Sequence, residues 1–354
     1  MSYELNRKIA GLTPYEPLSG TYQIRLDANE SYMNLPEELR VKLGKLAQEI
    51  DYNRYPDPYC TELCKAFATY YGIDAENVTA GNGSDELINI IVNAFSLKGE
   101  NCFTFEQDFS MYRFYGELAE CTLETLPKKA DLSIDVDAAI DVLNHSGAGM
   151  LLFSNPCNPT SIGLSREQVR QLVRSVNCLV VLDEAYMDFW DQSLLGEVQE
   201  YDNLIVLKTC SKSIGMAGIR LGFAVANPTI TRAIKAVKSP YNVNSITQAV
   251  GTAVLQEQGL LRARTSEIIE NTRGLHQMLG SLSQEFPQFG QVYPTVTNFV
   301  YIKTGIGREI AEKLKQRSVA VRVFPNYLRI STGSAEENRI VANYLREILK
   351  ETAQ

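Results

Sequence analysis

The chain has 354 residues, of which 45% are hydrophobic and 21% charged, and carries a formal net charge of −8. That length exceeds one ordinary core and suggests a large domain with a smaller one, and the composition excludes a disordered or collagen-like chain. The acidic balance, without runs of Lys or Arg interleaved with aromatics, argues against a nucleic-acid surface.

The opening residues, MSYELNRKIAGLTPYEP, lack an apolar core of signal-peptide length, and no apolar stretch reaches the roughly 18 residues of a membrane span. A cytoplasmic protein without membrane contact is expected. Before residue 30 the chain has no stable periodicity of its own and is expected to pack as an arm against the C-terminal unit.

From about residue 75 to 240, helical segments alternate with short apolar runs. Ser84–Phe95 has apolar residues at helical spacing, with Ser84, Asp85 and Glu86 favouring a helix start. Met150–Phe153, Leu179–Leu182 and Leu204–Leu207 are apolar runs of strand length, and Ser165–Val176 reads as a helix between the first two. This alternation predicts an α/β domain, residues 30–240, with a mostly parallel central sheet. After residue 240, Ser245–Leu282 reads as long helical pattern. Phe299–Ile302, Ala320–Phe324 and Leu328–Ile330 then read as strands, and Ala335–Lys350 as a closing helix. Residues 1–29 and 241–354 are therefore assigned to a small α+β domain.

Seven cysteines without a C-x-x-C pair do not form a recognisable disulfide or zinc pattern, and Cys60 and Cys64 read as buried thiols. There are two histidines: His145 in the turn-like NHSGAG and His276 in a helical stretch. Ser-His-Asp or histidine-metal chemistry has little to stand on, and a cofactor is one alternative.

Each of the three apolar runs leads into polar residues: Ser154 to Thr160 (SNPCNPT), Asp183 to Tyr186 (DEAY), and Thr209 to Ser213 (TCSKS), followed by Gly215, Gly218 and Arg220. Parallel α/β sheets bind ligands at the carboxyl ends of their strands, so these groups should converge on one crevice. Each has a plainer explanation alone. Asn158 between prolines is a natural turn residue, Asp183 a helix cap, Lys212 a solvated lysine, and Gly81 and Gly83 turn glycines. GNGSDE lacks the spacing of a dinucleotide fingerprint. The joint occurrence in this order is harder to explain that way.

TCSKSIGMAGIRLGF, NPCNPTS and DEAYMDF resemble three signatures of fold-type I pyridoxal-phosphate (PLP) enzymes, class I/II aminotransferases. LTPYEP, LDANES, RYPD, GNGSDELI and LRISTG are similar to segments of the histidinol-phosphate aminotransferase branch. The resemblance runs over nearly the whole chain. It implies that Lys212 holds PLP as an internal Schiff base and serves as general base, and that Asp183 pairs with the pyridinium nitrogen. It places Asn158 and Tyr186 at the ring's phenolic oxygen and Phe109 stacked on the ring; read alone, Phe109 is a core aromatic. For the cofactor phosphate it implies the amides of Ser84 and Asp85 at a helix N-terminus, with Ser211, Arg220 and Thr209. Tyr55 would reach the cofactor of a neighbouring subunit, implying a homodimer with shared sites. Arg329 would bind the substrate's anionic group, with Asn158, Arg322 and either Tyr22 or Tyr15 contributing to the substrate site.

The reaction so implied is ping-pong transamination between histidinol phosphate, or an aromatic amino acid, and a 2-oxo acid such as 2-oxoglutarate. A decarboxylase similar to threonine-phosphate decarboxylase would share Lys212 and Asp183, and a binding module without turnover is a further alternative. Three departures bear on the substrate site. Ser161 follows Thr160 where the family has glycine, Gln107 and Asp108 replace a proline and threonine, and the segment between Arg322 and Arg329 is shortened.

Overall fold

Backbone donors and acceptors of a buried apolar run must be paired by neighbouring strands, and the computed structural model, which describes residues 3–14 and 18–352, pairs them in two sheets. In chain order the strands are β1 (Ile24–Leu26), β2 (Val78–Gly81), β3 (Asn101–Phe105), β4 (Thr122–Leu126), β5 (Met150–Ser154), β6 (Leu179–Asp183), β7 (Leu204–Thr209), β8 (Gly222–Ala226), β9 (Gln291–Val292), β10 (Phe299–Lys303), β11 (Val319–Phe324) and β12 (Tyr327–Ser331).

The large sheet has seven strands in the order β2-β8-β7-β6-β5-β3-β4. Pairings among β4, β3, β5, β6 and β7 are parallel, whereas β8 runs antiparallel to both of its neighbours. Every residue of β5, β7 and β8 is buried, as expected of strands covered on both faces. The helix Arg166–Ser175 between β5 and β6 starts at a Ser165–Gln168 capping box, which satisfies backbone N–H groups that the first turn leaves free.

Register fixes what reaches the sheet's rim. Ser154 lies opposite Asp183, Thr209 opposite Gly222, and Gly222 opposite Gly81. The last residues of β5, β6, β7 and β2 therefore form one continuous edge, from which the helix Gly83–Phe95 departs.

The five-stranded sheet is ordered β1-β11-β12-β10-β9. Its back face, including Val300, Ile302, Leu328, Ile330 and Val321, buries against the helices Gln258–Glu285, Gly307–Gln316 and Ala335–Thr352. Because facing residues of paired strands share a side, Tyr301, Arg329 and Arg322 lie together on its front face. The N-terminal arm joins this unit through β1, which pairs with β11 in parallel, while Lys8 reaches Glu120 of the large unit at 3.9 Å.

Three local readings change. The expected helix over 245–282 is two helices, Ser245–Leu255 and Gln258–Glu285. Residues Val243, Val250, Val254 and Leu261, expected in the small domain, pack in the large-sheet core. His145 ends the helix Val136–His145 instead of lying in a turn, with Nδ1 2.7 Å from the Asp141 carbonyl.

Candidate active site

At the end of β7 the chain turns sharply through Thr209–Gly215. Met216 N–H donates to the Cys210 carbonyl at 2.8 Å, and Gly215 takes φ +74°, a backbone angle that favours glycine. Lys212 Nζ donates to the Ala28 carbonyl at 2.9 Å and sits 5.7 Å from the centre of the Tyr186 ring. Beneath the loop is a buried ionic cluster. Lys208 Nζ donates to Asp188 Oδ1 at 2.5 Å, and Tyr71 donates to Asp188 Oδ2 at 2.9 Å. The Ser213 hydroxyl also donates to Asp188, and Glu184 lies 3.9 Å from Lys208. The neighbour of Lys212 is thus tied to a fixed point in the core.

Asp183 is 4% exposed and accepts from Tyr112 Oη at 2.8 Å and Ala185 N–H at 3.0 Å. Burial pushes its carboxyl up to about 7, against the pull of those two donors, and the negative charges of Asp108 and Asp85 push the same way. Tyr186 is buried and receives a hydrogen bond from Asn29 Nδ2 at 2.9 Å. Phe109 meets Tyr112 edge-on at 5.5 Å between ring centres, and lies partly buried beside the same core.

Asn158 follows β5. Its backbone N–H donates to Ser154 Oγ at 3.1 Å, and its Oδ1 accepts from Arg329 Nη1. Arg329 Nη2 donates to the Asp27 carbonyl at 2.7 Å, and its guanidinium lies over the Phe299 ring at 5.4 Å. Arg322 is opposite Arg329 on the adjacent strand, over Phe324 at 5.5 Å. The shortened segment between these arginines is a tight hairpin, with Pro325 and Asn326 as the connection between β11 and β12. Ser161 adopts φ +62°, so the turn keeps a left-handed residue without glycine there. Its Oγ lies 3.0 Å from Thr295 Oγ1 and 2.8 Å from Thr297 Oγ1, and accepts from Val296 N–H at 2.9 Å.

The helix Gly83–Phe95 opens with Gly83, Ser84 and Asp85, whose amides lack partners within the helix. Arg220 Nη2 stands 3.6 Å from Asp85 Oδ2, and half of the Arg220 side chain is exposed. A Cβ on Gly222 would lie 2.5 Å from Gly83 C and Ser84 N, and one on Gly83 would lie 2.8 Å from Arg220 Nη2. The helix start, β8 and the guanidinium therefore approach as closely as the missing side chains allow. Ser211 N–H and Oγ are both 3.1 Å from Thr209 Oγ1. This end offers amides, hydroxyls and a cation, a donor set suited to a phosphate.

Tyr55 is 80% exposed and stacks on Tyr241 at 4.6 Å between ring centres. Tyr22 donates to the Ser19 carbonyl at 3.0 Å and lies beside Arg25. Tyr15 falls outside the described residues. Sequence reading missed Tyr112 and Asn29. Tyr112 follows Phe109 by three residues at the start of the helix Met111–Leu118, and Asn29 lies within the LDANES segment. Among the described residues, no helix is long and apolar enough to cross a membrane.

Residues 21–345 match the family model described as aminotransferase class I and II. A histidinol-phosphate aminotransferase of Clostridium novyi (strain NT) is 39% identical over 352 residues, 98% of each chain. One from Clostridium kluyveri is 40% identical over 342 residues, 95% of this chain and 96% of its own. Among solved structures, histidinol-phosphate aminotransferase from Sinorhizobium meliloti in complex with pyridoxal-5'-phosphate superposes with a TM-score of 0.84 at 24% identity, covering 94% of this chain and 92% of its own. L-threonine-O-3-phosphate decarboxylase from Porphyromonas gingivalis gives 0.79 at 20% identity, covering 92% and 99%. At such identities the superpositions show a common fold.

Proposed function

The chain belongs to the aminotransferase class I and II family, as a transaminase of PLP fold type I that works with pyridoxal 5'-phosphate, and from that premise we propose that its amino donor is histidinol phosphate and its acceptor a 2-oxo acid such as 2-oxoglutarate. The observation that carries the substrate is the 39% and 40% identity, over nearly the full length of both chains, to two histidinol-phosphate aminotransferases. The decarboxylase alternative has only a fold likeness at 20% identity behind it.

The residues fit the cofactor on chemistry present in the chain. Asp183 is a buried carboxylate whose strongest neighbours are a tyrosine, an amide and two further carboxylates, so a protonated ring nitrogen would supply the missing counter-charge. The amides of Ser84 and Asp85, the hydroxyls of Thr209 and Ser211, and Arg220 suit its phosphate. Bound pyridoxal phosphate supplies an electron sink for the pair left behind when a proton leaves the substrate α-carbon.

The chain's own groups do the rest. Lys212 would hold the cofactor through Nζ and would serve as the base that moves the substrate α-proton. Asp183 holds the ring nitrogen's proton. Asn158 and Tyr186 donate to the ring oxygen, and Phe109 covers the ring. Arg329, with Arg322 beside it, Asn158 and Tyr22, binds the substrate's anionic groups.

The proposal extends to assembly and place: a cytoplasmic homodimer in which Tyr55 of each subunit completes the other's site. Its 80% exposure favours that role. The large unit begins near residue 30, and the small unit takes residues 1–29 with the chain from within the helix Gln258–Glu285 onward.

The test is the visible spectrum of the PLP-loaded protein before and after L-glutamate, histidinol phosphate or an aromatic amino acid. Loss of the cofactor band with glutamate and histidinol phosphate, and no such turnover in Lys212→Ala, is expected. A band that no amino donor bleaches would overturn the reading.

A further inference from the structure

Asp108, which stands where the resemblance calls for threonine, joins two loops that carry candidate cofactor residues. Its Oδ1 accepts from the Phe109 N–H at 2.8 Å and from the Ser154 hydroxyl, and its Oδ2 accepts from the Ser154 N–H at 3.2 Å. Ser154 Oγ in turn accepts from the Asn158 N–H at 3.1 Å, and Asn158 Oδ1 accepts from Arg329. Asp108 is thus linked through Ser154 to the Asn158 backbone, and the side chain of that same residue holds the arginine of the expected substrate site.

The direction of that chain follows from charge. An ionised carboxylate only accepts, so the single proton of Ser154 Oγ must point at Asp108, which leaves its lone pairs to the Asn158 amide. A threonine hydroxyl could equally donate to Ser154 and reverse that one link, whereas the Asn158 N–H donates in either case. Burial raises the Asp108 carboxyl above its ordinary value, and Lys128 with the hydrogen bonds from Ser154 and Phe109 pulls back toward the ionised form. Lys128 Nζ is 3.2 Å from Cys157 Sγ, and that thiol lies 3.3 Å from the Gln107 carbonyl, so the cation is held between the same two loops. Asp183, Tyr112 and, through Lys128, Glu106 also act here.

We propose that Asp108 is a positioning residue that, through Ser154, fixes Asn158 so that its side-chain N–H faces the cofactor ring oxygen while its carbonyl oxygen holds Arg329. One carboxylate then sets both the electronic state of the cofactor and the affinity for substrate anions. The proposal rests on the PLP-dependent reading given above.

The experiment uses the loaded protein as wild type, Asp108→Ala, Asp108→Asn and Ser154→Ala. Two quantities are read: the pH midpoint of the cofactor's visible band, and the dissociation constant of succinate, an unreactive dicarboxylate. Losing an N–H donor to the ring oxygen lets the site keep its proton to higher pH. Asp108→Ala and Ser154→Ala should both raise the midpoint by about one pH unit and weaken succinate about tenfold, the scale of one charge-assisted hydrogen bond. Asp108→Asn keeps an acceptor oxygen for Ser154 and should recover most of both losses.

Unchanged values in Asp108→Ala and Ser154→Ala overturn the proposal. So does a shift in Asp108→Ala without one in Ser154→Ala, or no recovery in Asp108→Asn; either would make the effect one of charge and not of position. If Asp108→Ala does not fold, Ser154→Ala decides alone. A wild-type protein that forms no visible band with added pyridoxal phosphate defeats the underlying reading and this proposal with it, whereas a normal band with unmoved variants defeats only the proposal.

Discussion

Tyr112 donates its hydroxyl proton to Asp183 Oδ2 at 2.8 Å, deep in the large domain, where burial has pushed that carboxyl up to about 7. A donor to the charged form favours it, so Tyr112 keeps Asp183 ionised against its surroundings. In Tyr112→Phe the Asp183 carboxyl should rise further and hold a ring-nitrogen proton less well. The expected loss is about tenfold in affinity for pyridoxal phosphate, the low end for a hydrogen bond to a charged group. Titration of the cofactor-free protein, followed by absorbance, measures it; an unchanged dissociation constant would remove Tyr112 from the site.

Stability of the cofactor-free protein should carry the same signature. With Asp183 at about 7 when folded and near 3.8 otherwise, the folded chain holds a proton that the unfolded chain has released. This contribution is complete below about pH 4 and is lost as pH rises through about 7, up to roughly 4 kcal/mol in all. Asp183→Asn has no such proton. Its Tm relative to wild type should therefore climb between pH 4.5 and 8, by a few degrees for a chain of this size. A difference that stays flat across that range would mean Asp183 does not titrate there.

Arg329 meets Asn158 with one nitrogen and the Asp27 carbonyl with another, so its guanidinium plane is set before substrate arrives. Lysine keeps the charge but not the fork. Arg329→Lys should raise the KM for 2-oxoglutarate about tenfold and Arg329→Ala about a hundredfold, on the scale of one and two charge-assisted hydrogen bonds. The cofactor band should persist in both. Equal KM values in the two variants would show that the fork alone, without the charge, sets the affinity, and a wild-type KM in Arg329→Lys would show the reverse.

Much of this was legible in the sequence because an ionisable or amide group after an apolar run is a local signal. Asp183 ends a strand, Asn158 and Lys212 follow strands, and the strands expected here fall within two residues of their expected ends. The direction of β8 was not legible, since GFAVA reads the same in either orientation and its pairing with Thr209 is a long-range choice. The break between the helices Ser245–Leu255 and Gln258–Glu285 falls at Gln256 and Glu257, and the nearby Gly259 lies inside the second helix instead of at the break. Tyr112 escaped notice because a buried aromatic in a helix looks like core packing; only the carboxylate facing it gives its hydroxyl a role. Asp108 could be seen as a departure, but its tie to Ser154 depends on two loops meeting in space.

Gly222 gives the sharpest test of how the phosphate end is built. A Cβ there would stand 2.5 Å from Gly83 C and Ser84 N, which are backbone atoms and cannot rotate away. In Gly222→Ala the start of the helix Gly83–Phe95 must move, and with it the amides of Ser84 and Asp85. Overpacking of this kind costs about 1–3 kcal/mol in stability. Affinity for pyridoxal phosphate should fall at least tenfold, since displaced amides no longer converge on one oxygen. Gly218, in the same segment, has nothing within 4 Å of an added Cβ, so Gly218→Ala should leave both Tm and cofactor affinity near wild type. Both quantities are read from thermal melts and absorbance titrations of the two variants side by side. If Gly222→Ala binds the cofactor as tightly as Gly218→Ala, the helix start is not where the phosphate is held.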